Sequence, residues 1–124
     1  MTIPEKYLQL VTDAAQSDNL RVELLGAMLQ HESDWNPDAV GDNGLAHGLG
    51  QMHPTACETI GMDPNDRFDP TKAIPGAAKY LAFCIKHCGG DERLGLMAYN
   101  RGPTDIVAGI AYANAVMALV QSDV

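Results

Sequence analysis

The most chemically suggestive feature of this 124-residue sequence is an acidic side chain that continues an apolar stripe. Leu25, Met28, Leu29 and Glu32 follow at spacings of three and four, the interval that keeps side chains on one helix face. Carboxylates are seldom buried without a reason. At such a position desolvation disfavours the anion, and the partial negative charge of a helix carboxyl end disfavours it further. A carboxylic acid held protonated near neutral pH can give its proton to a leaving oxygen, which is general acid chemistry. The same spacing also fits an exposed residue of a last helical turn.

The residues after Glu32 add a pattern. The run Glu32-Ser33-Asp34-Trp35-Asn36-Pro37-Asp38-Ala39-Val40 resembles the Glu-Ser motif of the soluble lytic transglycosylases. Gly48-Leu49-Gly50-Gln51-Met52, followed by Pro54-Thr55-Ala56, is similar to the Gly-Leu-x-Gln-hydrophobic segment of that family and the tripeptide after it. Phe68-Asp69-Pro70 with Ile74, Gly76 and Tyr80-Leu81 looks like the start of its next helix. Ala98-Tyr99-Asn100-Arg101-Gly102-Pro103 resembles its Ala-Tyr-Asn-x-Gly-Pro motif. Four such segments in order, over roughly residues 24 to 120, place the resemblance in the lysozyme-like superfamily. It implies cleavage of the β-1,4 bond between N-acetylmuramic acid and N-acetylglucosamine in peptidoglycan. It further implies Glu32 as general acid and then base, and Tyr99 hydrogen-bonded to the catalytic carboxyl or to the adjacent sugar. Gln51 and Asn100 would contact N-acetyl and hydroxyl groups, Ser33 would orient the muramoyl side, and Met52 would line the cleft. Neutral amides and hydroxyls suit a sugar polymer. Each also has a plainer reading: Ser33 as a helix-end residue, Asn100 as a C-cap, Tyr99 as core, Gly48 and Gly50 as turn glycines.

Two reaction outcomes stay open. Most glycosidases need two carboxyls, whereas the transglycosylase resemblance implies one, with the muramoyl 6-hydroxyl attacking its own anomeric carbon to leave a 1,6-anhydro end. Gly41-Asp42-Asn43-Gly44 departs from that pattern and looks like goose-type lysozymes, which implies that Asp42 activates water. Asp42 lies nine residues before Gln51, the goose-type spacing, but the second goose-type aspartate is replaced by His53. A hydrolytic Asp42 would stand about 6.5–9.5 Å from the acid. It is equally a turn aspartate in Asp-Asn-Gly. Asp34 follows the helix end and is a poorer base. Transglycosylation is the favoured outcome, with goose-type hydrolysis as the alternative.

The elements that must position these groups are mostly helical. Residues 4 to about 15 put Tyr7, Leu8, Val11, Ala14 and Ala15 on one face, with Pro4 in the first turn. Asp18 and Asn19 offer N-caps for a second helix through about Ser33. Residues 34–53, with Gly41, Gly44, Gly48 and Gly50, form a long turn-rich segment of the kind that carries function. A short helix starts at Pro54, and residues 64–70 form a loop. Residues 75–87 form a buried helix with Ala78, Leu81, Ala82 and Ile85 inward, stopped by Gly89-Gly90. Asp91 and Thr104 cap two last helices, residues 92–100 and 105–120. The expected fold is mainly α, a single lysozyme-like domain over residues 1–124 with at most a small β-hairpin near residues 40–53.

Composition narrows the partners. Sixteen acidic against eight basic side chains leave a net charge of −8, which argues against nucleic acid and anionic membrane surfaces. No apolar run reaches the roughly 18 residues needed to span a bilayer. The amino-terminal stretch lacks the features of a signal peptide, and an odd count of cysteines, Cys57, Cys84 and Cys88, fits a reducing compartment. His31, His47, His53 and Cys57, or Cys84, His87 and Cys88, match no zinc spacing, so neither metal nor cofactor is expected. His47 and His53 flank the expected cleft as substrate contacts, and Trp35 packs beneath the loop. The expected partner is a peptidoglycan glycan strand, met by a monomer without membrane insertion. Together these features favour a phage lysin made in the cytoplasm, either holin-released or virion-associated, over a secretion-system accessory. The rivals are a non-catalytic glycan-binding module and a chitinase-like enzyme.

Overall fold

The computed structural model describes residues 2–101 and 106–121, six α-helices and a two-stranded hairpin around one core. Helix α1 (Glu5–Ser17) buries Tyr7, Val11, Ala14 and Ala15, the expected arc of a surface helix. Leu8, at the rim of that arc, remains exposed. Asp18 and Asn19 end α1 instead of starting the next helix: Asn19 adopts a left-handed φ of 56°, and Leu20 N–H donates to Ala15 O at 2.8 Å. The N-cap of α2 (Val22–Ser33) is Arg21, which makes no side-chain cap. Its guanidinium forks onto Glu92 at 3.0 and 2.9 Å, joining the starts of two helices.

The six residues Leu24, Leu25, Gly26, Ala27, Met28 and Leu29 are all buried. A helix apolar on all sides belongs at the centre of a domain, and α2 is that helix. After it the chain turns through left-handed Asp34 and Trp35, and the Trp35 ring stacks on Tyr7 at 6.1 Å. Strands β1 (Val40–Gly41) and β2 (Ala46–His47) pair antiparallel, Val40 opposite His47 and Gly41 opposite Ala46. The turn between them passes through Asp42, Asn43 and Gly44, all at positive φ, residue types that tolerate it.

Arg67 clamps the hairpin from below. It is 7% exposed, with Nε donating to Pro64 O and Nη1 donating to Leu45 O and Met52 O, each at 2.8 Å. A buried cation needs such partners. Arg67→Met leaves three carbonyls without this donor and is expected to cost about 3 kcal/mol, read as a lower urea midpoint. An unchanged midpoint would mean water or a backbone shift replaces the clamp.

Helix α3 (Pro54–Ile60) starts where expected. Helix α4 (Pro70–His87) starts five residues before the expected Pro75, because Asp69 caps it by accepting from Thr71 N–H at 2.9 Å and Pro70 occupies the first turn. Pro75 therefore lies inside the helix. Ala78 and Leu81 are buried as expected, whereas Ala82 and Ile85 are half-buried, and Ile74, Ala77 and Cys84 complete the inward face. The Gly89-Gly90 stop forms as expected, Gly90 N–H donating to Ile85 O at 2.8 Å. Asp91 caps α5 (Glu92–Arg101) through Leu94 N–H at 2.9 Å. The expected single last helix is instead a 3₁₀ turn, Ile106–Gly109, followed by α6 (Ile110–Gln121). Gly102, Pro103, the expected cap Thr104 and Asp105 lie outside the described residues.

Candidate active site

A cleft of about 520 Å³ opens between the hairpin, α3 and the helix ends. Glu32, Asp42, Gln51, Met52, His53, Tyr99 and Asn100 all line it. Seven of the nine residues singled out from the sequence, all but Ser33 and His47, are therefore brought together, from positions up to 68 apart along the chain.

Glu32 occupies the last turn of α2, partly buried. Tyr112 of α6 donates its hydroxyl to Glu32 Oε2 at 2.8 Å. Burial pushes the Glu32 carboxyl from an ordinary 4.5 up to about 7, against the opposing pull of the Tyr112 hydrogen bond, which favours the anion. The Tyr99 and Tyr112 phenols are held well above their ordinary range, by burial first and by the neighbouring Glu32 charge second.

Tyr99 does not hydrogen-bond the carboxyl. Its hydroxyl donates to Gly50 O at 2.7 Å: a buried phenol needs an acceptor, and the returning hairpin segment supplies that carbonyl. Tyr99 thus pins the loop to α5, and Tyr112 takes the place at Glu32 expected of it. Gln51 is a strut as well as a wall residue. Its Nε2 donates to Ala39 O at 3.0 Å and Gly48 O at 2.9 Å, leaving Oε1 as the amide's open acceptor. Ser33 is not among the cleft-lining residues, and its hydroxyl turns back to Leu29 O at 3.1 Å, a bond within its own helix. Asn100 is exposed on the cleft rim and is no C-cap, since α5 continues to Arg101. Met52 is buried in the floor.

Asp42 and His53 meet on the hairpin side, Asp42 Oδ2 to His53 Nε2 at 2.7 Å. His47 is not among the cleft-lining residues: its Nε2 lies 2.7 Å from Gly44 O, and its ring stacks on Phe68 at 4.7 Å. Tyr112 and Arg67 lie outside the motif segments, and the cleft residues Tyr80, Thr55 and Arg101 fall within them without an expected role. Tyr112 carried one signal, a hydroxyl in an otherwise largely apolar helix, but nothing local joined it to Glu32. Among the described residues no group of three or more His, Cys, Asp or Glu side chains is placed to hold a metal ion. None of the helices there is long and apolar enough to cross a membrane.

Residues 9–118 match the family model described as Transglycosylase SLT domain. A membrane-bound lytic murein transglycosylase F from Maricaulis maris is 37% identical over 103 residues, 78% of this chain and 22% of that protein. The peptidoglycan transglycosylase gp16 of Escherichia phage T7 is 30% identical over 105 residues, 81% of this chain and 8% of that protein. Among solved structures, an inactive mutant of the lytic transglycosylase Slt from Pseudomonas aeruginosa aligns with 95% of this chain and 21% of its own, with a TM-score of 0.74 at 20% identity. The chain spans less than a quarter of the length of these relatives.

Proposed function

The chain belongs to the transglycosylase SLT domain family, and from that membership we propose that it cleaves the muramoyl β-1,4 bond of peptidoglycan glycan strands by lytic transglycosylation. The observation that carries this reading is the Glu32 carboxyl, set in the cleft with its pKa raised to about 7. A group that titrates near the working pH can serve as acid and then as base.

Tyr112 occupies Oε2 as a donor, so Oε1 carries the acid proton. Glu32 passes that proton to the glycosidic oxygen as the bond from the anomeric carbon breaks, through an oxocarbenium-like transition state. The resulting carboxylate takes the proton of the muramoyl 6-hydroxyl while that oxygen bonds the anomeric carbon. The product is a 1,6-anhydro ring, and Glu32 ends protonated as it began. Asn100 and Gln51 Oε1 serve N-acetyl and hydroxyl groups of the strand, and Met52 forms an apolar floor. Ser33 acts only through the helix end that it holds.

The chain works on the glycan strand as a monomeric domain without a cofactor. Its proposed setting is a phage lysin, a reading supported by its similarity to a phage protein named as a peptidoglycan transglycosylase. Mass spectrometry of fragments released from purified peptidoglycan tests the activity: anhydro-muramic acid ends are expected from the wild type and at least about 100-fold fewer from Glu32→Gln. Absence of soluble fragments from the wild type, with co-sedimentation on cell walls, would leave a binding module.

Tyr112 supplies an independent test. Its hydrogen bond favours the Glu32 anion, so removing it raises the carboxyl pKa further. The general acid must be protonated, and the alkaline limb of kcat/KM near pH 7 is expected to move to higher pH in Tyr112→Phe, with a several-fold loss of kcat. A limb that stays in place or moves down would show that Tyr112 does not tune the acid.

A further inference from the structure

Asp42 sits in the hairpin turn and His53 directly before α3, eleven positions apart, yet their side chains meet at 2.7 Å on the wall of the cleft that holds Glu32. The pair is half-exposed, and exposed ion pairs contribute little to stability. Its chemistry is more informative. A carboxylate oxygen only accepts, so the contact with Asp42 places the hydrogen of a neutral imidazole on Nε2 and the lone pair on Nδ1. Among the described residues Nδ1 has no partner. An imidazole whose tautomer is fixed by a carboxylate, with its second nitrogen free, is the arrangement of a general base.

We propose that the Asp42–His53 pair gives this cleft a second outcome, hydrolysis of the same muramoyl bond, with His53 as base for water and Asp42 as its positioning residue. The proposal rests on Glu32 as the acid of the reading above. Glu32 gives its proton to the glycosidic oxygen as the anomeric bond breaks. A water oxygen bonds the anomeric carbon, and its proton goes to His53 Nδ1. Asp42 stabilises the imidazolium, which then loses that proton to solvent while Glu32 regains one. The products are a reducing muramic acid end and a free 4-hydroxyl on N-acetylglucosamine. The branch differs from transglycosylation in which nucleophile loses its proton, water or the 6-hydroxyl, and therefore in a product that can be weighed.

Purified peptidoglycan digested by the wild type, His53→Gln, Asp42→Asn and Glu32→Gln, then reduced with borohydride and analysed by mass spectrometry, tests this. The wild type is expected to give both reducing and anhydro ends. Their ratio is expected to fall at least about tenfold in both His53→Gln and Asp42→Asn, whatever happens to total turnover, and Glu32→Gln to lose at least about 100-fold of both. A purely structural pair would change the rate and leave the ratio alone. Only anhydro ends from the wild type, or an unchanged ratio in the variants, would overturn the dyad and leave the transglycosylase reading standing. Reducing ends lost in Asp42→Asn but kept in His53→Gln would overturn His53 as the base. No fragments from the wild type would overturn both readings.

Discussion

Glu32→Gln is expected to lower release of soluble peptidoglycan fragments by between about 100- and 10,000-fold, the range that a positioned acid–base group supplies, while making the protein more stable at alkaline pH. The two effects share one cause. Glutamine keeps the shape and the acceptor for Tyr112 but has no proton to give. It also has no charge to bury. The Glu32 carboxyl titrates at about 7 in the folded protein against an ordinary 4.5, so folding binds a proton between those values. Its contribution to stability is fully present below about pH 4.5 and is lost as pH rises through about 7. At about 1.4 kcal/mol per pH unit, the loss reaches about 3 kcal/mol by pH 8. Urea midpoints should therefore converge at pH 4 and separate at pH 8, with Glu32→Gln the more stable. Equal stability at pH 8 would mean that the carboxyl is not held in an environment hostile to its charge. Unchanged fragment release would remove Glu32 from the chemistry.

Gly48→Ala is expected to be the most damaging single-atom addition in the loop that builds the cleft. Gly48 has a φ of +80°, and a Cβ there would lie 1.8 Å from Arg67 O, a backbone atom that cannot swing aside. The surrounding bonds leave little room to yield. Gly48 N–H donates to Ala39 O at 2.8 Å, and Gly48 O accepts from the Gln51 side chain at 2.9 Å. The Arg67 side chain holds Leu45 O and Met52 O on the same hairpin. Relieving the clash means moving Arg67 or the hairpin, and either releases the other. A loss of at least about 3 kcal/mol is expected, with fragment release falling along with it. Gly44→Ala separates the causes: its φ is +89°, but nothing lies within 4 Å of the added Cβ. It should cost only the left-handed penalty, about 1 kcal/mol. Equal midpoints for the two variants would mean that the approach to Arg67 carries no weight.

Much of this was legible along the chain because it depends on neighbours in sequence. The three-and-four spacing of Leu25, Met28, Leu29 and Glu32 lies within one helix, so it specifies a shared face before anything else is known. The four motif segments were enough to give the family, and Asp91 and Gly89-Gly90 mark helix ends through bonds spanning only a few residues. The early start of α4 was present as Asp69-Pro70 but was masked by the second proline, Pro75. Which polar groups meet was a different matter. The partner of Glu32 comes from Tyr112, 80 positions on, while Tyr99 is claimed by Gly50, 49 positions back. Arg67 looks like an ordinary surface cation until the hairpin folds over it, and Asp42 reaches His53 only because the turn curls back. Local spacing determines which residues share a face; which donor finds which acceptor is decided only in the packed protein, where each buried polar group must take the partner within about 3 Å.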